Sequence, residues 1–160
     1  MNAFLPLALL LLTACHWGYR PHPQEGQYLT GEPEGSWQPV EPGSADRAWF
    51  NAQDGAAMYT DSNCGRRYSD DSLERMLSHL TSGIAEGEPL SETRLQLADR
   101  AALVRTWQAR LDGVPIQVGA MVLKRNNCIY DALIIAPESA FEQNWSDFQR
   151  VINGFEVEGN

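Results

Sequence analysis

Three long apolar segments separated by two tight turns constrain the fold of this chain more than any other feature. Asp112-Gly113 is typical of a two-residue β-hairpin, and Lys124-Arg125-Asn126-Asn127 marks a second turn. The segments around these turns, residues 101–111, 114–124 and 128–136, have the lengths of strands. Long strands joined by short turns predict an antiparallel meander, in which each strand pairs with the next one along the chain.

The segment 128–136 is apolar at nearly every position, with Asp131 as the exception. This pattern predicts a central strand that is covered on both faces. Amphipathic helices are predicted over residues 70–82, after Ser and Asp residues suited to capping, and from Pro137 to near Gly154. We therefore predict an α+β fold, in which an antiparallel β-sheet meander is covered on a face by two amphipathic helices.

The predicted domain covers residues 48–160. Gln53-Asp54-Gly55 lies between two short aromatic-rich segments and predicts a further hairpin. Residues 15–47 contain five of the nine prolines and five of the thirteen glycines, with neither helical nor alternating periodicity. We expect these residues to form a flexible tether. Its aromatic residues have three open roles, as membrane anchors, as contacts with the domain or as contacts with a partner: Trp17, Tyr19, Tyr28 and Trp37.

The first 14 residues carry no charged side chain, and residues 7–12 form an apolar run with the length of a signal-peptide core. That run is too short for an ordinary transmembrane helix. It ends in Leu12-Thr13-Ala14-Cys15, which resembles the bacterial lipobox. The resemblance implies cleavage of a signal peptide, residues 1–14, and lipidation of Cys15. The alternative is an ordinary secretory signal that happens to contain a cysteine.

The residue after Cys15 is His16 rather than the Asp that commonly retains lipoproteins in the inner membrane of Gram-negative bacteria. For a Gram-negative host, the resemblance therefore implies a lipid anchor (palmitate among its acyl chains) in the outer membrane, facing the periplasm.

Two cysteines remain after Cys15, and an even pair in an oxidising compartment predicts a disulfide between Cys64 and Cys128. Such a bond closes a loop of about 65 residues and stabilises the fold by roughly 4 kcal/mol in the chain-entropy description. The alternative is a catalytic or metal-binding thiol. However, the sequence contains no CxxC motif and no histidine close to either cysteine.

The net charge is −9 and the isoelectric point is near 4.7, which argues against nucleic acid as a partner. The signatures of the commonest nucleophile, phosphate and zinc sites are missing, among them GxSxG, GxGxxG and HExxH. The histidines are His16, His22 and His79, and they are not spaced as metal ligands. We therefore expect no enzymatic activity, no cofactor and no metal site.

Asp131 is the most informative carboxylate, because burying an unpaired carboxylate in an apolar strand destabilises the folded state. We expect a structural ion pair with Arg100 or Arg105, or else hydrogen bonds from backbone N–H groups. A catalytic acid is the alternative, although that role usually needs a second positioned group. The segments Asp61-Ser62-Asn63 and Asp70-Asp71 are consistent with calcium binding but are more typical of turns and helix caps.

The C-terminal half carries a family resemblance. The segments 111–115, 124–131 and 148–155 resemble small secreted α/β sandwiches of the Mog1/PsbP type. The similarity covers roughly residues 92–155. It implies a domain that binds a partner or supports assembly.

Together these features predict a membrane-anchored, non-enzymatic lipoprotein that binds or supports a cell-envelope protein. The alternative is a small-ligand or lipid carrier tethered to the outer membrane, which requires an apolar cavity of several hundred Å³. An enzyme is a third hypothesis.

Overall fold

A computed structural model describes residues 27–65, 71–85 and 87–157. Within them are nine strands, two helices and one 3₁₀ turn over Glu138–Ala140. The helices are α1, Leu73–Leu80, and α2, Phe141–Asn153. The strands are β1 Tyr28–Leu29, β2 Trp37–Val40, β3 Arg47–Asn51, β4 Ala56–Cys64, β5 Ser91–Leu97, β6 Arg100–Leu111, β7 Val114–Arg125, β8 Cys128–Pro137 and β9 Glu156–Val157.

Seven of the strands form one antiparallel sheet in the order β2-β3-β4-β8-β7-β6-β5. The predicted meander is confirmed from β5 to β8, with turns at Asp112-Gly113 and Asn126-Asn127 where the backbone φ angles are positive. The hairpin predicted around Gln53-Asp54-Gly55 is also confirmed, as β3 and β4. β8 is the last strand of the meander in the sequence. It becomes the central strand of the sheet because β4 pairs with the edge of β8 that faces away from β7.

The two helices pack on opposite faces of this sheet. One apolar core lies between the sheet and α2 and includes Met121, Ile134 and Phe148. The other lies between the sheet and α1 and includes Leu77 and Leu133. The α+β class is confirmed, but the expectation of helices on one face is wrong. Because one helix lies on each face of the sheet, the side chains of β8 that point to either face are buried.

Helix α1 is shorter than the predicted 70–82. Its N-cap is Ser72, whose hydroxyl accepts a hydrogen bond from the Arg75 N–H at 3.3 Å. Met76 and Leu77 are buried against the sheet, as their helical spacing predicted. Helix α2 follows the 3₁₀ turn directly and ends at Gly154, again as predicted.

The tether expected over residues 15–47 is wrong for its second half. Tyr28 is buried and begins β1, which pairs with β9 beyond the end of α2. Trp37 is buried and begins β2, which is the edge of the main sheet beside β3. Residues 27–40 therefore form a strap across the domain, and the domain begins well before residue 48. Residues 15–26 lie outside the described residues.

Long-range polar contacts hold the strap, which is why local periodicity gave no sign of it. The Gly31 N–H donates to the Val151 carbonyl at 3.1 Å. The Trp37 indole N–H donates to Asp147 of α2 at 3.3 Å, and the Trp49 indole N–H donates to Glu32 at 3.2 Å. Of the three roles open for the aromatic residues of this segment, Tyr28 and Trp37 contact the domain.

Candidate functional site

The predicted disulfide is confirmed. Cys64 ends β4 and Cys128 begins β8, and the two are directly opposite in the register of these neighbouring strands. Their Cα atoms are 4.0 Å apart and the sequence separation is 64 residues. The bond therefore links the part of the sheet formed by β2, β3 and β4 to the part formed by β5 to β8, at one end of the β4–β8 pair.

Asp131 is buried, as the sequence predicted, but the expected ion pair is wrong. The residue is 7% exposed, and its Oδ1 atom has no hydrogen-bond partner among the described residues. Arg105 instead pairs with Glu92, its register partner on β5, at 2.7 Å. Arg100 is solvent-exposed at the start of β6.

Sheet geometry explains why neither arginine reaches Asp131. The register partner of Asp131 on β7 is Val122, so β7 lies between Asp131 and β6. Two strand spacings amount to about 10 Å, and the intervening side chains are apolar. Arg105 is on the α1 face but pairs at the sheet edge, whereas strand alternation places Arg100 on the α2 face. The apolar strand pattern predicted a covered position for Asp131 but not which strand separates it from each cation.

The register partner of Asp131 on β4 is another acid, Asp61. The Asn63 side-chain amide donates to Asp61 at 2.9 Å. Burial raises the pKa of the Asp131 carboxyl well above its ordinary value, and the negative charges of Asp61 and Asp46 raise it further. Burial, with Asp131 and Asp61 nearby, also raises the pKa of the Tyr59 hydroxyl.

A cavity of about 220 Å³ lies between α1 and the sheet, and Asp131 lines it. Its other lining residues come from β4, β7, β8, α1 and the segment just before α1: Asn63, Asp71, Met76, His79, Leu80, Val122 and Ile129. His79 therefore faces this cavity. Its position between Leu77 and Leu80 in the sequence gave no indication of that.

The same face of the sheet is uncovered over β2, β3 and β4, because α1 packs on β6 and β7. An apolar groove of about 330 Å³ lies there. At its rim, Val40 is 45% exposed and Phe50 is 40% exposed. The remaining lining residues are also almost entirely apolar: Pro42, Ala48, Trp49, Ala57, Met58, Tyr59, Ile84, Leu133 and Ile135.

The opposite face carries a larger and more polar groove of about 520 Å³ between α2 and strands β5 to β7. Phe141 and Trp145 form its aromatic wall, and Thr106 and Gln117 are among its polar residues. Gly119 makes room for Trp145, because a Cβ atom at position 119 would lie 2.4 Å from Cζ3 of that indole. Trp145 is partly buried against the α2-side core.

Sequence patterns gave no indication of a polar network that joins α2 to the turn between β3 and β4. Asp54, in the β3–β4 turn, accepts hydrogen bonds from Asn144 at 2.7 Å and from Gln143 at 2.8 Å, both on α2. Burial opposes ionisation of Asp54, but these bonds and the Ala56 N–H outweigh it and lower the pKa. Asn144 is buried, and its side-chain oxygen also accepts a hydrogen bond from the Asn51 amide at 3.1 Å.

The lipidation residue Cys15 lies outside the described residues. Within the described ranges, neither helix is long and apolar enough to cross a membrane. The acidic residue Asp71 pairs with Arg75 at 2.9 Å, as expected of a residue next to a helix cap. Within the same ranges, no three His, Cys, Asp or Glu side chains are grouped so that they could hold a metal ion.

No protein-family model matches the chain, and no curated protein matches it in sequence. Solved structures do resemble it. LpqN of Mycobacterium tuberculosis, a protein involved in cell envelope biogenesis, superimposes with a TM-score of 0.61 at 9% identity, over 86% of this chain and 88% of its own. Cyanobacterial PsbP from Synechocystis superimposes with a TM-score of 0.55 at 12% identity, over 92% and 99%.

A Pseudomonas aeruginosa protein of unknown function also superimposes, with a TM-score of 0.53 at 10% identity, over 87% of each chain. At identities this low, the similarity shows the fold alone. It confirms, at the level of the fold, the resemblance to the PsbP type inferred from the sequence, and it extends that resemblance from residues 92–155 to most of the chain. The chain is therefore an α+β domain with a fold similar to that of PsbP.

Proposed function

We propose that this chain is a lipid-anchored lipoprotein of the cell envelope whose domain binds another envelope protein without catalysing a reaction. The observation that carries the proposal is the apolar groove over β2 to β4. Contiguous exposed apolar surface on a rigid sheet is typical of protein interaction sites. The groove has two partly exposed hydrophobic side chains, Val40 and Phe50, at its rim.

Other features support the compartment. The Leu12-Thr13-Ala14-Cys15 motif is suited to lipidation at Cys15. The Cys64–Cys128 bond suits an oxidising environment outside the cytoplasm. The similarity in fold to LpqN, which is involved in cell envelope biogenesis, agrees with this placement. In a Gram-negative host, His16 after the lipidated cysteine favours the periplasmic face of the outer membrane.

The anchor is tested by mass spectrometry of the protein extracted from membranes. We expect a chain that begins at Cys15, carries acyl mass and lacks two hydrogens because of the disulfide. Cys15→Ser should release the protein into the soluble fraction with the disulfide intact. A wild-type chain with an uncleaved N-terminus and no acyl mass would contradict the lipoprotein proposal.

The partner site is tested by placing a photo-crosslinking amino acid at Phe50 in cells. The matched control is Val114, which is 55% exposed on the β6–β7 hairpin, away from the groove. We expect a discrete crosslinked protein from position 50 that is absent from position 114. Val40→Asp should abolish that crosslink without unfolding the domain. Identical products from both positions, or none from either, would contradict the proposal.

The groove beside α2 favours a second candidate, a carrier of a small amphipathic ligand. Its volume of about 520 Å³ falls in the range of small-molecule sites, and its lining combines Phe141 and Trp145 with polar side chains. Native mass spectrometry in mild detergent should then show a bound small molecule. Gln149→Trp fills the groove from an exposed helix position and should remove the bound mass, whereas Ser146→Trp should retain it. A wild-type protein without bound mass would exclude the carrier.

A further inference from the structure

The cavity between α1 and the sheet is lined by four apolar and four polar side chains, and Asp131 is one of the polar ones. Met76 and Leu80 of α1 form one side, and Val122 and Ile129 of the sheet form the other. Asp131 lines the same cavity and belongs to the central strand, so its position is set by hydrogen-bonded neighbours on both sides. The cavity is independent of the apolar groove proposed above as a partner site.

The Asp131 side chain has a hydrogen-bond acceptor that no described residue uses. Only 7% of Asp131 is exposed, and its Oδ1 atom has no hydrogen-bond partner among the described residues. A buried carboxyl oxygen without a donor destabilises a fold, because its lost hydration is not replaced. A ligand that supplies a donor in the cavity would remove this penalty.

The charges around Asp131 favour a cationic donor. Asp61 lies opposite on β4, and Asp46 adds further negative potential. The basic groups nearby are engaged at the start of α1: Arg75 pairs with Asp71, and the Lys124 amino group donates to the Asp71 carbonyl at 3.1 Å. His79 on α1 and the Tyr59 hydroxyl on β4 are the other titratable groups on this side.

The shape of the cavity selects among cations. The described residues do not group three metal-binding side chains together, so a metal ion would lack a coordination shell. A lining that combines apolar side chains with a buried carboxyl group suits an alkyl chain with a terminal ammonium, because lysine packs its stem against apolar surface and keeps its charged end in a polar environment. About 220 Å³ is enough space for such a group and lies below the usual range of small-molecule sites.

We propose that this cavity binds an alkylammonium group, with its alkyl chain against Met76 and Leu80 and its ammonium donating hydrogen bonds to Asp131. The group belongs to a lysine side chain of a partner protein or to a small free amine. Both sources present the same chemistry to the cavity.

The test is an NMR titration of the isotope-labelled full chain with n-butylammonium. We expect saturable shifts of the amides around Asp131 and Met76, with a dissociation constant of about 1 mM, which is ordinary for so small a ligand. Neutral n-butanol should produce no saturable shift at these amides. Equal saturable shifts with both compounds, or none with n-butylammonium, would overturn the proposal.

Three variants complete the test. Asp131→Asn keeps the shape and removes the charge, and it should weaken binding at least about tenfold. Leu80→Phe fills the cavity from a half-buried helix position and should weaken binding by a similar factor with Asp131 intact. Asp112→Asn makes the same chemical change at the remote β6–β7 turn and should leave binding unchanged. Wild-type affinity in both cavity variants would overturn the proposal.

The source of the ammonium is distinguished by a second probe, the lysine derivative Nα-acetyl-lysine methylamide. Tighter binding of this derivative than of n-butylammonium assigns the site to a protein side chain. Tighter binding of n-butylammonium assigns it to a free amine. Failure of both probes would overturn the proposal and leave the partner groove and the lipid anchor untouched.

Discussion

The indole of Trp145 on α2 packs directly against the backbone of Gly119 on β7. A Cβ atom at position 119 would lie 2.4 Å from the indole, and further contacts with Ile134 at 3.0 Å and Phe141 at 3.3 Å leave it no space. This contact sets how closely α2 approaches the sheet and positions the aromatic wall of the larger groove. The glycine is therefore a packing requirement rather than a turn residue.

Gly119→Ala should destabilise the domain by about 1–3 kcal/mol, because the added methyl group forces Trp145 away from the sheet. Chemical denaturation monitored by circular dichroism measures the change. The double variant with Trp145→Phe should lose less than the sum of the two single variants, since the smaller ring leaves space for the methyl group. Strict additivity would contradict this explanation.

Asp131→Asn should make the protein more stable at neutral pH. The pKa of Asp131 is raised in the folded state, first by burial and then by Asp61 and Asp46, above the unfolded value of about 3.9. The folded state thus binds a proton more tightly, and wild-type stability falls as the pH rises from about 4 towards the folded pKa.

The variant lacks this titration, and its amide is able to donate a hydrogen bond to Asp61. The stability difference between variant and wild type should therefore increase from pH 4 to pH 7. Thermal unfolding across this range tests the sign. A difference that is constant with pH would show that Asp131 does not titrate differently in the folded state.

Removing the disulfide with the double variant Cys64→Ala, Cys128→Ala should destabilise the domain by about 4 kcal/mol, because the unfolded chain regains the entropy of a long closed loop. Adding a reductant to the wild type should lower its unfolding midpoint to that of the variant. A reductant effect that persists in the variant would point to another cause.

The strap should contribute to stability through Tyr28. Its hydroxyl donates to Thr60 at 3.0 Å, and its ring stacks on Phe155 with a centroid distance of 5.1 Å. Tyr28→Ala should cost about 3–5 kcal/mol, as for other buried aromatic residues, and Tyr28→Phe about 1 kcal/mol. Leu29→Ala is the matched control, because its side chain is 49% exposed, and it should change stability little. Equal effects at positions 28 and 29 would contradict a packed strap.

Local sequence patterns were sufficient to predict the meander, both helices and the disulfide. The apolar segments of β6 to β8 and the turns between them depend on a few consecutive residues, and so do the Ser72 cap and the spacing of Met76 and Leu77. The Cys64–Cys128 pairing followed from setting Cys15 aside as the expected lipidation residue, because the pair that remains allows one connectivity.

Tertiary structure decided the features that depend on distant residues. Tyr28 is ordered by contacts with Phe155 and Val157, far along the chain, so a segment rich in proline and glycine becomes part of the fold. Asp131 lies beside Asp61 rather than an arginine, because strand order and not sequence spacing determines the neighbours across a sheet. Sequence thus determined the strands of the meander and the two helices, but not the strands of the strap. Strand order and the placement of one helix on each face created the cavity, the grooves and their electrostatics, because these are properties of surfaces that meet only after the chain has folded.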